Sequence, residues 1–333
     1  MPAKPEQFKT VKEHGFKAIC FSLTLRPNTA KVVFGASDFK VYEADFAATK
    51  FEPKELYGHE SYVTGVALAG TKIVSGGYDC KLSWFDSAAN KMIKSETAHG
   101  KWIRGVHASK DGKTIVSVGD DMVAKLWDAE SGKLLHELKG HAEKTPTNFN
   151  SMLYAAAFTD DGKTVATGDK VGKIILWDVA TGKKTGELEA PVFYTWDPTA
   201  RLHSIGGIRS LAFSPDGKTL AVGGSGKIGN IDHLEGKARV ELFDVATSKR
   251  TWEHQSDKFA GLVNHLQFSP DGSWLLGAGG AAEGFYLMLD PVGKKSIRQE
   301  KAGMHIHDVT TTPDMSTLYV AGHNKLAICE CKG

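Results

Sequence analysis

Several groups of residues in this chain have the types and spacing to do chemistry. His99, Ser117 and Asp121 have the residue types of a nucleophilic triad, in which a carboxylate orients an imidazole that takes the hydroxyl proton. His59, Ser75 and Asp79 repeat the set upstream, and His141 and Thr167 repeat part of it downstream. In His305-Ile306-His307-Asp308, strand alternation puts both imidazoles on one side, the beginning of a metal site, but no third ligand is identifiable. Gly223-Gly224-Ser225-Gly226-Lys227-Ile228-Gly229 has the glycine density of a phosphate loop but neither the GxxxxGK[ST] order nor a following helix, so it reads as a strand connection. Cys20 and Cys80 lie in apolar patterns and read as small buried hydrophobes, while Cys329-Glu330-Cys331 reads as alternating cysteines on one face of a last strand. No metal and no cofactor is expected.

The elements that position these residues are repeats. A first apolar strand, an Asp-Gly turn, a second apolar strand and an aromatic-Asp pair recur down the chain. One copy runs Ile103-Arg104-Gly105-Val106, Lys110-Asp111-Gly112-Lys113-Thr114-Ile115-Val116-Ser117, then Lys125-Leu126-Trp127-Asp128. Others end at Trp177-Asp178 and Phe243-Asp244. Equivalent first-strand positions are Ile19, Val66, Val106, Ala156, Leu211, Leu266 and Val309, which makes seven repeats. The third-strand pairs are Tyr42-Glu43, Phe85-Asp86, Trp127-Asp128, Trp177-Asp178, Phe243-Asp244 and Leu289-Asp290. The 36 glycines suit a chain of tight turns with little helix.

The Trp-Asp pairs, the Gly58-His59 and Gly140-His141 pairs and the Ser-Pro-Asp-Gly turns resemble the WD-repeat proteins, over essentially the whole chain, in the form of a free-standing bacterial-type single propeller. The resemblance implies an all-β fold: a seven-bladed β-propeller of four-stranded antiparallel blades forming one domain. The blades are expected near 15–57, 61–98, 101–139, 152–190, 206–255, 260–301 and 304–331, with 6–13 as the closing strand. The seventh repeat lacks a fourth strand, and Gln7 to His14 supplies it by alignment with Leu134 to His141: Phe8 on Leu135, Val11 on Leu138, His14 on His141. Closure removes a bare edge. The resemblance also makes His99, Ser117, Asp121 and Trp127 a structural network, not a triad. By the same pattern His59, Ser75 and Asp79 form an incomplete network because Phe85 replaces Trp, and His141, Thr167 and Trp177 another because the Asp is displaced to Asp169.

In WD-repeat proteins the start of the inner strand faces the channel mouth on the top face, a peptide-binding surface. That places Lys17, Thr64, Arg104, Tyr154, Arg209, Asn264 and His307 at the mouth, with Tyr62, Trp102, Met152, Leu262 and His305 behind them. The expected rim is cationic, carboxylate-free and aromatic, suited to an acidic or phosphorylated peptide or protein. Long insertions join the same face: Glu143 to Ser151, Pro191 to Gly207 with Phe193, Tyr194, Trp196, Arg201 and His203, and Ser225 to Lys237. Their aromatics either anchor a partner or pack back onto the blade.

The reading is therefore a non-enzymatic interaction scaffold. A propeller hydrolase or lyase with a channel site would need inward histidines and carboxylates. Nucleic-acid binding through the basic mouth would need a broad basic stripe, and a net charge of +2 gives no such stripe. The start has no apolar run of a signal peptide, and no stretch is long enough to span a membrane, so a cytoplasmic monomer with a protein partner is expected.

Overall fold

Each Asp-Gly turn is built by its own side chains. Ser109 Oγ donates to Asp111 Oδ1 at 2.7 Å, that carboxylate takes the Lys113 amide at 3.1 Å, and Ser109 Oγ takes the Thr114 amide at 3.0 Å. Gly112 sits at φ +70°, the left-handed conformation that closes such a turn without a Cβ penalty. The same arrangement recurs at Thr159/Asp161, Ser214/Asp216, Ser269/Asp271 and Thr312/Asp314.

These turns punctuate a chain of strands. The computed structural model describes residues 3–197, 203–229 and 236–332. It contains seven four-stranded antiparallel sheets arranged as blades around a channel, plus one two-stranded hairpin. The innermost strands, blade one to blade seven, are Cys20–Leu25, Val63–Ala69, Ile103–Ala108, Leu153–Phe158, Ser210–Phe213, Leu262–Phe268 and Ile306–Thr311. Blade three continues through Thr114–Gly119 and Val123–Asp128 to Leu134–Lys139. Among the described residues no helix is long and apolar enough to cross a membrane.

The core lies between blades. Leu82 and Trp84 of blade two pack against Ile103, Ile115 and Trp127 of blade three, and each interface repeats this pattern. A register shift interrupts the innermost ladder between Ile103 and Gly105, and in equivalent places in most other blades. Such a bulge turns two successive residues toward the channel, so both Arg104 and Gly105, and both His307 and Asp308, line it. Close approach at this ring requires small residues: a Cβ on Gly65 would lie 2.6 Å from the Val106 amide nitrogen.

The ring is closed as expected. Lys9–Gly15 pairs antiparallel with Lys325–Glu330 and completes blade seven. Phe8 is 2% exposed, with its ring 4.6 Å from that of Tyr286. The expected alignment is nevertheless three residues out. The ladder is bulged between Thr10 and Lys12 and leaves Val11 44% exposed, as the matching bulge in blade three leaves Leu135 43% exposed. Val11 thus matches Leu135, and His14 occupies the buried Leu138 position.

Blade one carries a second correction. Cys20 pairs with Ala36 as Ile103 pairs with Gly119, so Leu23 is the equivalent of Val106, and the third strand ends at Ala44-Asp45. The closing strand and its crossover consume the residues up to Ala18, which pushes the first inner strand four positions later than expected. Cys20, Cys329 and Cys331 are buried, but Cys80 is only half-buried, in a turn at φ +65°.

Candidate functional site: the channel mouth

The Ser-His-Asp sets form complete buried networks. In blade three Asp121 accepts from His99 Nδ1 at 3.0 Å, and His99 Nε2 lies 2.7 Å from Ser117 Oγ. Ser117 Oγ also accepts the Trp127 indole N–H at 2.9 Å, so its own proton goes to His99 Nε2. The polarity is that of a nucleophilic triad, but Ser117, Ser75 and Thr167 are all 0% exposed, so no substrate reaches the hydroxyl. Burial pushes the Asp121 carboxyl up; the hydrogen bond from the His99 N–H and those from the Gly100 and Val123 amides outweigh it, and the pKa ends below its ordinary value.

The two networks expected to be incomplete are not. In blade two His59 bridges Asp79 at 2.9 Å and Ser75 at 2.7 Å, and Tyr57 supplies the missing donor, its hydroxyl 2.9 Å from Ser75 Oγ and its ring stacked on Phe85. In blade four Asp169, two residues earlier in its turn, still reaches His141 Nδ1 at 2.8 Å; Thr167 Oγ1 is 2.8 Å from His141 Nε2 and accepts from Trp177 at 2.9 Å. Each network satisfies groups that would otherwise be buried unpaired, at about 1–3 kcal/mol apiece.

The mouth differs from its expected electrostatics. Phe21, not Lys17, stands in the blade-one position; Lys17 is on the rim, 72% exposed and 3.6 Å from Asp38. Arg104 is held bidentately by Asp120, at 2.8 and 2.7 Å. The rim therefore carries carboxylates, and two of its three expected cations are paired. Arg209 has no carboxylate partner among the described residues; its guanidinium lies 3.6 Å from the centre of the Tyr154 ring.

The aromatic expectation is met in a particular form. Phe39, Tyr62 and Tyr78 follow one another with ring centres 5.7 Å apart, and Tyr78 stacks on Trp102 at 4.3 Å. Arg104 then sits over Tyr78, Trp102 and Tyr154 at 5.0, 5.4 and 5.5 Å. Phe21 joins the arc through Tyr62 and touches His307 edge-on at 5.1 Å. Phe39, Tyr62 and Trp102 are 41%, 40% and 48% exposed. Phe39 holds φ +74° in the turn position that Gly172 and Asn324 fill elsewhere, an unfavourable conformation for a bulky residue.

The family described as WD domain, G-beta repeat matches residues 52–86, 90–128, 132–178, 196–229 and 247–282, together more than half of the chain. The chain belongs to the WD-repeat family. Among curated relatives, apoptotic protease-activating factor 1 of Rattus norvegicus is 30% identical over 47% of this chain and 12% of its own length. Nuclear distribution protein PAC1-2 of Uncinocarpus reesii is 30% identical over 48% of this chain and 35% of its own. Eukaryotic translation initiation factor 3 subunit I of Drosophila melanogaster is 32% identical over 51% of this chain and 47% of its own. The chain thus spans less than half the length of each.

Within this WD-repeat ring the long insertions are mostly self-contained. Phe193 is 1% exposed, in the core with Ile208 and Leu211, and so is not offered to a partner. Tyr194–Asp197 pairs with His203–Gly206 as a hairpin, made possible by Gly206 at φ +105°, where a Cβ would lie 2.1 Å from the Phe193 carbonyl. The Tyr194 hydroxyl is 3.0 Å from Thr147 Oγ1, and Trp196 packs on Phe149 at 5.2 Å, tying this insertion to that of Glu143 to Ser151. Phe193 thus packs back onto the blade, whereas Tyr194 and Trp196 pack on the neighbouring insertion. Arg201 lies outside the described residues, as do residues 230–235 of the Ser225 to Lys237 insertion.

Sequence reasoning missed the ring's seam. Asp308 Oδ2 accepts from Ser22 Oγ and the Leu23 amide, at 3.1 and 3.0 Å, and Oδ1 from His265 Nδ1 at 2.9 Å, joining blades one, seven and six. It also missed His323, whose ring lies 4.8 and 4.9 Å from those of His305 and His307. The WD turn alignment was the only available signal: His323 precedes Asn324 as Asp120 precedes Asp121.

Proposed function

We propose that this WD-repeat ring is an interaction scaffold without chemistry of its own, holding a protein or peptide across the mouth-bearing face. The observation that carries the reading is the continuous arc from Phe39 to Arg209, in which Phe39, Tyr62 and Trp102 stay well exposed while each contacts its neighbour in the arc. Exposed aromatics beside immobilised arginines are the chemistry of binding hot spots. Arg209, 3.6 Å from the centre of the Tyr154 ring and without a carboxylate partner among the described residues, is the group that would receive an acidic or phosphorylated side chain. A relative 32% identical over 51% of this chain is by name a subunit of an initiation factor. The internal pairing of Lys17 and Arg104 argues against a nucleic-acid stripe.

The test is affinity capture by the wild-type chain beside Trp102→Ala and Arg209→Glu, followed by titration of the captured partner in purified form. Trp102→Ala should weaken binding about 30-fold or more, the ordinary loss at a hot spot. Arg209→Glu should weaken it most for an acidic or phosphorylated partner. Equal affinity for all three proteins would overturn the reading.

A further inference from the structure

Blade seven presents to the mouth three side chains at the positions where blade three presents Trp102, Arg104 and Asp120. Ile306 pairs with Gly322 as Ile103 pairs with Gly119, so the matching residues are His305, His307 and His323. Their ring centres form a nearly equilateral triangle with sides of 4.8, 4.8 and 4.9 Å. We propose that these three imidazoles are a binding site for one divalent transition-metal ion of the zinc, nickel or copper kind.

The dimensions fit. A tetrahedral ion holds imidazole nitrogens at about 2.0–2.1 Å, which puts the centres of neighbouring rings about 5 Å apart. A purely imidazole donor set favours zinc, copper and nickel over magnesium or calcium. The neighbouring carboxylate of Asp308 is turned away, committed to Ser22, Leu23 and His265.

The ligands differ in freedom. His305 is anchored: its Nδ1–H donates to the Ala281 carbonyl at 2.8 Å, which leaves Nε2 as the lone-pair side, now accepting from the Asn264 amide at 3.1 Å. Fixing the tautomer through the distal nitrogen is how proteins orient metal-binding histidines. A metal would replace Asn264 at Nε2, and that amide would keep its 2.8 Å bond to the Ile306 carbonyl. Among the described residues His307 Nε2 is buried without a hydrogen-bond partner, and the His323 side chain is exposed at the channel mouth. Without an ion the ring planes lie 9° to 31° from parallel, and among the described residues no three donor atoms converge on one point. In the proposed site His305 stays fixed and His307 and His323 turn about their side-chain bonds to bring their nitrogens to the ion.

The experiment is calorimetric titration of the full chain, carrying no polyhistidine tag, with zinc chloride and with nickel sulfate, alongside melting curves with and without metal. One ion per chain should bind, with an affinity in the micromolar range and a raised melting temperature. His323→Ala should weaken binding at least 10-fold and His307→Ala further, the scale seen when metal sites lose supporting groups. His323 lies in an exposed turn, so its variant keeps the test valid if the His307 variant folds poorly. His136→Gln, distant from the mouth, should bind as wild type does. Absence of saturable binding below about 1 mM, affinity unchanged in His323→Ala, or an equal loss in His136→Gln would overturn the site.

Discussion

Blade three and blade seven share a backbone plan and solve its two problems in opposite ways. Blade three forms all four strands from one stretch of chain and fills its centre with His99, Ser117, Asp121 and Trp127, a polar set in which every member has a partner. Blade seven borrows Lys9–Gly15 from the far end of the chain; its positions matching His99, Ser117 and Trp127 are Ala302, Val320 and Cys329, and its turn is one residue shorter and holds no carboxylate. One blade is held by directional bonds within a local segment, the other by apolar packing and a long-range strand pair. Either is stable because it is complete: a satisfied network and an apolar core are both good solutions, whereas half a network is not.

The largest effect should come from removing what blade seven borrows. Deleting residues 1–13 bares the edge of Lys325–Glu330 and empties the place of Phe8 against Tyr286 and Cys329. The expected outcome is insolubility, or a melting temperature lower by about 10 °C or more. A soluble deletion variant with unchanged melting would show that blade seven does not depend on its partner strand.

An intermediate effect should come from making each blade's centre incomplete. Trp127→Phe removes the indole donor to Ser117, and Val320→Ser places a hydroxyl at the matching apolar site of blade seven. Both should cost about 1–3 kcal/mol in urea unfolding. If Trp127→Phe proves neutral, the network is ornament to the blade-three fold and the contrast with blade seven loses its meaning.

The same contrast explains what was legible in the sequence. The repeats, the blade number and the closing strand follow from local patterns that recur, and blade three states them in full. Blade one was misread by four positions because Phe34 and Ala44 have replaced the Ser and Trp that mark register elsewhere. The closing strand was misread by three because a bulge, invisible in residue types, moves Val11 out and His14 in. Tyr57 rescued the blade-two network from an outer strand, and Asp120 neutralised Arg104 from a neighbouring turn. Pairing across strands is decided by register and turn geometry, and neither is written as a motif.

The finest distinction concerns the clasp itself. His14 stands where blade three has the apolar Leu138; its ring stacks on Phe51 at 4.2 Å, and Nε2–H donates to the Phe46 carbonyl at 3.1 Å. Burial lowers its pKa, the bond to Phe46 raises it, Lys12 lowers it again, and the net shift is downward from 6.5. A base that titrates lower in the folded chain than in the unfolded one resists protonation by folding. Its contribution is therefore complete above pH 6.5 and is lost as the pH falls below that value. His14→Gln keeps a side-chain donor and removes the titration. Between about pH 7.5 and about pH 5.5, the melting temperature of the Gln variant should fall less than that of wild type, by about 1–2 °C. Leu138→Ala in blade three, which lacks a titrating group at this position, should leave the wild-type pH slope intact. Parallel pH slopes for wild type and His14→Gln would place the acid sensitivity elsewhere and leave the clasp distinguished from its blade-three counterpart by its connectivity alone.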